Sequence, residues 1–251
     1  MTLPAIVADG LRARRAEAPP VVLVHGASGR ADTWRPVLPA WSWADVWAPS
    51  LPGRDGSATI GHRDVGALAD WLVEAVCAMP PKPWLVGHSL GGAVALTVAL
   101  RRPDTIAGLV LVSSGARLKV APPILELARA TTPEQPLPLG FAFGPDAPEP
   151  LRHDYHARSH GVPTETTVGD WLACDGFDER ARLAEVGHAC LVLWGDQDTL
   201  TPPKFQQKLV AGLPRAEGRE LPGFGHMLPW EAPQEVSEAV QAFVGRQLSP
   251  T

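Results

Sequence analysis

In Gly87-His88-Ser89-Leu90-Gly91 a serine stands between two glycines, each two residues away. The pentapeptide joins the apolar run Trp84–Val86 to Leu90–Leu100, a stretch of small, helix-compatible residues. A serine pushed out on so sharp a strand-to-helix turn takes a strained backbone conformation. Side chains two positions away would collide across the turn, and glycine at 87 and 91 removes them. The following helix aims its free N–H groups and positive dipole end at charge forming beside Ser89. Nucleophilic attack by the hydroxyl is the chemistry this suits. That hydroxyl is weak at neutral pH, so it needs a base, and the base needs an orienting acid.

Open parallel sheets place reactive groups in the loops after the carboxyl ends of strands. Two later loops qualify. The strand-like Cys190–Trp194 leads into Gly195-Asp196-Gln197-Asp198, which offers two aspartates. Arg219–Leu221 leads into Gly223-Phe224-Gly225-His226-Met227. The chain order is then nucleophile, acid, base: Ser89, Asp198 or Asp196, and His226. His25 and His88 flank the site, but each precedes a tight turn without a suitable acid nearby in sequence. Both read as structural.

These loops must be carried by regular elements. Asp9-Gly10 between Ala5–Ala8 and Leu11–Arg15 signals a hairpin. Val21–Val24, bare of polar positions, suits a strand buried on both faces. Further strand signals fall at Val46–Ala48 and Ile106–Val112, and helix signals from Asp32 or Thr33 to Ala40, Asp64 to Val76, Pro202 to Leu213 and Gln234 to Leu248. Strand and helix alternating in this way imply an α/β fold, a mostly parallel sheet with helices on both faces. From Arg117 to about Glu185 strand-like runs stop and prolines are frequent. The expected organisation is a core of residues 1–116 and 186–251 interrupted by an insertion at 117–185. The apolar residues of that insertion have no sheet face to cover, so they should line an apolar pocket above Ser89.

The arrangement resembles the α/β-hydrolase superfamily over nearly the whole chain. The Gly-x-Ser-x-Gly pentapeptide looks like its nucleophile elbow, and Leu193-Trp194-Gly195-Asp196-Gln197-Asp198 like its acid loop, in which the second aspartate is the triad member. His25-Gly26-Ala27 is similar to its His-Gly motif, and Leu51-Pro52-Gly53 followed by Ser57 to its Leu-Pro-Gly-x-Gly-x-Ser loop. Phe177-Asp178 before the acid strand fits too. The resemblance implies an eight-stranded sheet, the triad Ser89, Asp198 and His226, an oxyanion hole from the N–H groups of Ala27 and Leu90, and a helical cap at 117–185. Many relatives read Asp-Leu-Pro-Gly-His-Gly-x-Ser where this chain has Ser50-Leu51-Pro52-Gly53-Arg54-Asp55-Gly56-Ser57. A loop geometry particular to this chain is therefore expected there.

The implied activity is cofactor-free serine hydrolysis of a small-molecule, ester-like substrate with a small to medium apolar acyl group. Phe141, Phe143, Trp171 and Met227 are candidates for lining the acyl pocket. The same fold also serves C–C bond hydrolysis, lactone opening, amide cleavage and perhydrolysis, so fold does not select the bond. Epoxide hydrolases and haloalkane dehalogenases carry aspartate at the elbow, which Ser89 argues against. A ligand receptor with a slow hydrolytic site is the competing class, and the complete set of triad residues argues against a mere scaffold.

A formal charge of −5 excludes a nucleic-acid binder's basic footprint and leaves no polybasic membrane patch. No run reaches membrane-spanning length. The first residues, MTLPAIVADGLRARR, lack a continuous apolar segment of leader length, so a cytoplasmic location is expected. The three cysteines (Cys77, Cys174, Cys190) are widely spaced in apolar contexts and read as reduced core residues. His153, His156 and His160 would share a helical face, but the charged residues around them mark a solvated surface and no metal site.

Overall fold

Four consecutive apolar residues such as Val21–Val24 need strands on both edges and covered faces on both sides. The structure, a computed structural model that describes residues 10–55 and 62–249, places them so. Its strands are Gly10–Ala13 (β1), Pro20–Val24 (β2), Asp45–Pro49 (β3), Trp84–His88 (β4), Gly108–Val112 (β5), Cys190–Gly195 (β6) and Ala216–Leu221 (β7). They form one sheet in the order β1-β3-β2-β4-β5-β6-β7. All neighbours run parallel except β1, which pairs antiparallel with β3. Among the described residues the sheet has seven strands, not eight.

The helices are Val65–Val76 (α1), Leu90–Arg101 (α2), Pro122–Arg129 (α3), Glu149–Arg158 (α4), Thr164–Gly176 (α5), Pro203–Gly212 (α6), Leu228–Glu231 (α7) and Pro233–Leu248 (α8). Alternate strand residues feed two cores. Val22, Val24, Leu85, Leu109, Leu111 and Val192 pack with α1 and α2 on one face. Val21, Leu23, Val86, Val110, Leu191 and Leu193 pack with α8 and the Ala31–Trp41 stretch on the other. The period-two alternation of a strand thus becomes two apolar layers, one per face.

Between β5 and β6 the chain forms α3, α4 and α5 and gives no strand to the sheet; Arg117 and Asp178 meet only as an isolated bridge. Three local expectations change, and a fourth falls in part outside the described residues. Ala31–Trp41 is a 3₁₀ stretch, because Pro36 and Pro39 remove donors from an α-helical ladder. The strand at Gly10–Ala13 pairs with β3, while Ala5–Ala8 and Asp9 of the expected hairpin lie outside the described residues. β7 starts at Ala216, since an edge strand exposed along Glu217–Glu220 needs no apolar pattern. Cys77 is exposed at the end of α1, while Cys174 and Cys190 are buried. Among the described residues no helix is long and apolar enough to cross a membrane.

Candidate active site

The strand order reverses between β2 and β4, and there an α/β sheet opens a crevice at its carboxyl edge. Ser89 lies in that crevice, between β4 and α2, with φ 54° and ψ −117°. A non-glycine residue holds such a conformation only where its surroundings over-determine it. Here Ser89 N donates to Val112 O at 2.9 Å, while Ser89 O accepts from Gly92 N and Ser114 Oγ, each at 2.9 Å. A Cβ at Gly87 would overlap the Gly91 backbone across the turn. One at Gly91 would instead overlap the Val24 carbonyl, so that glycine answers to the neighbouring strand β2.

The acid and base loops converge on the same edge. His226 Nδ1 lies 2.9 Å from Asp198 Oδ2, and both side chains are buried. Asp198 Oδ1 accepts from the N–H groups of Leu200 (2.9 Å) and Thr201 (2.8 Å). Its Oδ2 also accepts from Thr201 Oγ1 at 2.7 Å. Burial pushes the Asp198 carboxyl up, but the His226 charge and hydrogen bond and the Thr201 donors outweigh it and hold it below its usual range. Asp196 points elsewhere: its Oδ1 accepts from Gly223 N at 2.7 Å and shapes the histidine loop.

That loop is held from several sides. His226 N donates to Ala142 O at 2.8 Å. Glu231 Oε2 accepts from Gly144 N (2.8 Å) and Gly225 N (3.1 Å), while burial raises its carboxyl above the usual range. His88 Nε2 lies 2.9 Å from His226 O. Burial, then the nearby His226, lower the His88 pKa to about 3, so the ring is neutral and Nε2–H is the donor. His25 Nε2 accepts from Leu51 N at 3.0 Å, which leaves its Nδ1–H to donate to Gly26 O at 2.8 Å. Both flanking histidines hold loops.

Two backbone segments flank Ser89, the loop after β2 and the first turn of α2. A Cβ at Gly26 would stand 3.2 Å from Ser89 Cβ, so the loop carrying Ala27 lies against the serine. Leu90 opens α2, where the first N–H groups have no intrahelical acceptor.

Among the described residues, two cavities border both Ser89 and His226. The larger, about 140 Å³, is lined chiefly by Leu118, Val120, Ile124, Trp171, Leu200 and Phe205 beside the two polar residues. The smaller, about 10 Å³, is bounded by Ala27, Leu139, Ala142, Tyr155, Trp171 and Met227. Trp171 and Met227 therefore reach the site. Phe143 does not line either cavity; it packs edge-on against Tyr155, ring centroids 5.7 Å apart. Phe141 is 45% exposed and lines neither cavity. Their order in the chain gave no sign of this, since a 3₁₀ turn at Leu139–Ala142 and extended Phe143 follow no helical period. Thr201, Phe205 and Glu231 gave no motif signal and emerge only from the fold. α4 ends at Arg158; His160 lies beyond it, yet its ring still packs edge-on against His156 with centroids 5.5 Å apart, and among the described residues no three His, Cys, Asp or Glu side chains are grouped to hold a metal.

The family model described as the alpha/beta hydrolase family matches residues 21–239. The chain belongs to that family. It is 32% identical over 218 residues to the provisionally named carbamate hydrolase RutD of Agrobacterium fabrum, covering 80% of this chain and 84% of that protein. It is 27% identical over 241 residues to the pimeloyl-acyl-carrier-protein methyl ester esterase of Serratia marcescens, covering 89% and 93%. A solved thermophilic esterase superposes with a TM-score of 0.79 at 28% identity, over 95% of this chain and 98% of that one.

Proposed function

We propose that this hydrolase is a carboxylesterase that uses Ser89 as nucleophile, His226 as general base and acid, and Asp198 as the group that orients the histidine. The observation that carries the reading is the buried 2.9 Å contact between His226 Nδ1 and Asp198 Oδ2, on a histidine that shares both cavities with Ser89. With Nδ1–H donated to Asp198, His226 has Nε2 free to take the Ser89 proton as Oγ attacks the ester carbonyl. The oxyanion is stabilised by the N–H groups of Ala27 and Leu90, each typically worth about 3–4 kcal/mol in the transition state. Collapse breaks the C–O bond, and the imidazolium gives its proton to the departing alcohol. Water then attacks the acyl-enzyme, His226 takes its proton, and the acid leaves as Ser89 is restored.

The segment 117–185 acts as a cap in this reading. It supplies Leu118, Val120, Ile124 and Trp171 to the larger cavity, whose size fits a small to medium apolar group. Esterase names among the relatives support the ester bond. The likeness to a carbamate hydrolase favours a second reading, attack on the carbamate carbonyl by the same serine. The test is a panel of p-nitrophenyl esters of rising chain length with an aryl carbamate alongside. Ester turnover at least tenfold above the carbamate, lost in Ser89→Ala, is expected. The reverse order would replace the ester with the carbamate.

A further inference from the structure

The loop of residues 27–29, which carries one proposed oxyanion donor, is fastened to the cap by a buried charge pair. Arg54 and Asp170 side chains are each 1% exposed and meet in a two-pronged contact, Nη2–Oδ1 at 2.8 Å and Nη1–Oδ2 at 3.1 Å. Both partners also grip the loop. Arg54 Nη1 donates to Gly29 O at 2.7 Å, and Ser28 N donates to Asp170 Oδ2 at 2.8 Å. The next cap residue, Trp171, donates Nε1–H to Ser28 Oγ at 3.0 Å. Ser28 itself sits at φ +60°, a conformation that needs such enforcement. Two more ties follow along the chain: Arg30 Nη1 to His160 O at 2.8 Å, and Arg158 Nη1 to Asp32 Oδ2 at 3.1 Å.

A buried ion pair is weak as a source of stability, because desolvation offsets most of its attraction. What this pair does supply is direction. Three polar contacts reach the loop that follows Ala27, two on its backbone (Ser28 N and Gly29 O) and one on the Ser28 hydroxyl, and Arg54 is among the residues at which the chain departs from the superfamily's loop pattern. We propose that Arg54 and Asp170 are positioning residues that aim the Ala27 N–H at the oxyanion by clamping the 27–29 loop to the cap helix α5. Docking of the cap then sets the geometry of the oxyanion hole, so that the enzyme is fully competent only with the cap seated. This rests on the serine-hydrolase reading above.

The test compares Asp170→Asn, which leaves the shape intact, with Arg54→Met/Asp170→Leu, which leaves no unpaired buried charge. Thr166→Val is the control, because its hydroxyl ties the same helix to Gly53 O at 2.8 Å, outside the 27–29 loop. For each protein three quantities are measured: kcat per Ser89 site titrated with a fluorophosphonate, KM, and the Ki of a trifluoromethyl ketone, whose adduct places an oxyanion in the hole. In both clamp variants kcat per titrated site should fall ~10–100-fold with KM within about threefold, and the Ki should weaken by the same factor as kcat/KM. Thr166→Val should lower Tm alone. Wild-type kcat and Ki per titrated site in both clamp variants would reduce the pair to a structural tie and overturn the proposal. Absence of a Ser89 adduct in the wild-type protein would instead overturn the serine-hydrolase reading on which it rests.

Discussion

Thr201 and His226 share one carboxylate oxygen: Oδ2 of Asp198 accepts from Thr201 Oγ1 at 2.7 Å and from His226 Nδ1 at 2.9 Å. The hydroxyl is itself 3.1 Å from Gln206 Nε2, a fully buried donor on α6. A threonine here therefore ties the Asp198 carboxylate beside the imidazole. Thr201→Val keeps the shape and removes one hydrogen bond to a charged group, typically worth about 1.5–3 kcal/mol. It should lower kcat by roughly 10–100-fold with little change in KM, read in steady-state ester hydrolysis. An unchanged kcat would show that the two backbone donors position Asp198 unaided.

The two aspartates of the acid loop separate by what they touch. Asp198→Asn favours the wrong histidine tautomer and should cost kcat on the order of 10⁴, as in the serine-protease precedent. Asp196→Asn keeps an acceptor for Gly223 N and should cost less than about tenfold. A larger loss for Asp196→Asn would exchange their roles.

The cap's part in selectivity rests on residues that border the larger cavity. Ile124→Ala, on α3 of the cap, enlarges that space and should shift the ratio of kcat/KM between long and short acyl esters by roughly 1–3 kcal/mol. Phe141→Ala, on a side chain 45% exposed, should leave the ratio unchanged. A shift in Phe141→Ala equal to that in Ile124→Ala would mean substrates reach the outer face of the cap.

Acid should unfold the protein through two loop histidines. Burial lowers His88 to about 3, and burial followed by the Arg54 charge lowers His25 well below its usual value. Both titrate near pH 6.5 when unfolded, so below that pH the unfolded chain binds more protons. Their contribution is complete above about pH 6.5 and is lost as pH falls below it, for His88 down to about 3 at about 1.4 kcal/mol per pH unit. His88→Gln, which retains a donor for His226 O, should flatten urea-derived stability against pH by one proton's worth. An unaltered slope would mean His88 is charged in the folded state.

The sequence carries those parts of the site that depend on local backbone chemistry. The elbow is legible because Gly87 and Gly91 are demanded by close backbone approach, and the acid and histidine loops because they follow buried strand runs. Gly91 is legible for an incomplete reason, since the atom it avoids belongs to β2 and not to its own turn. The segment 117–185 is legible as a break in alternation and, through the family resemblance, as a proposed cap. Which of its aromatics reach the cavity depends on how α3, α4 and α5 pack, and that carries no period in the chain: Trp171 reaches it, Phe141 does not. Arg54 stood out as a departure from a pattern, but its partner Asp170 lies 116 residues away and no local signal joins them.

The central claim is that Ser89 is an activated nucleophile. Intact and peptide mass spectrometry after brief exposure to a fluorophosphonate tests it most directly. One adduct per chain, on Ser89, is expected in the wild-type protein, with none in Ser89→Ala and strongly slowed labelling in Asp198→Asn. Equal labelling of the wild-type protein and Ser89→Ala would contradict it.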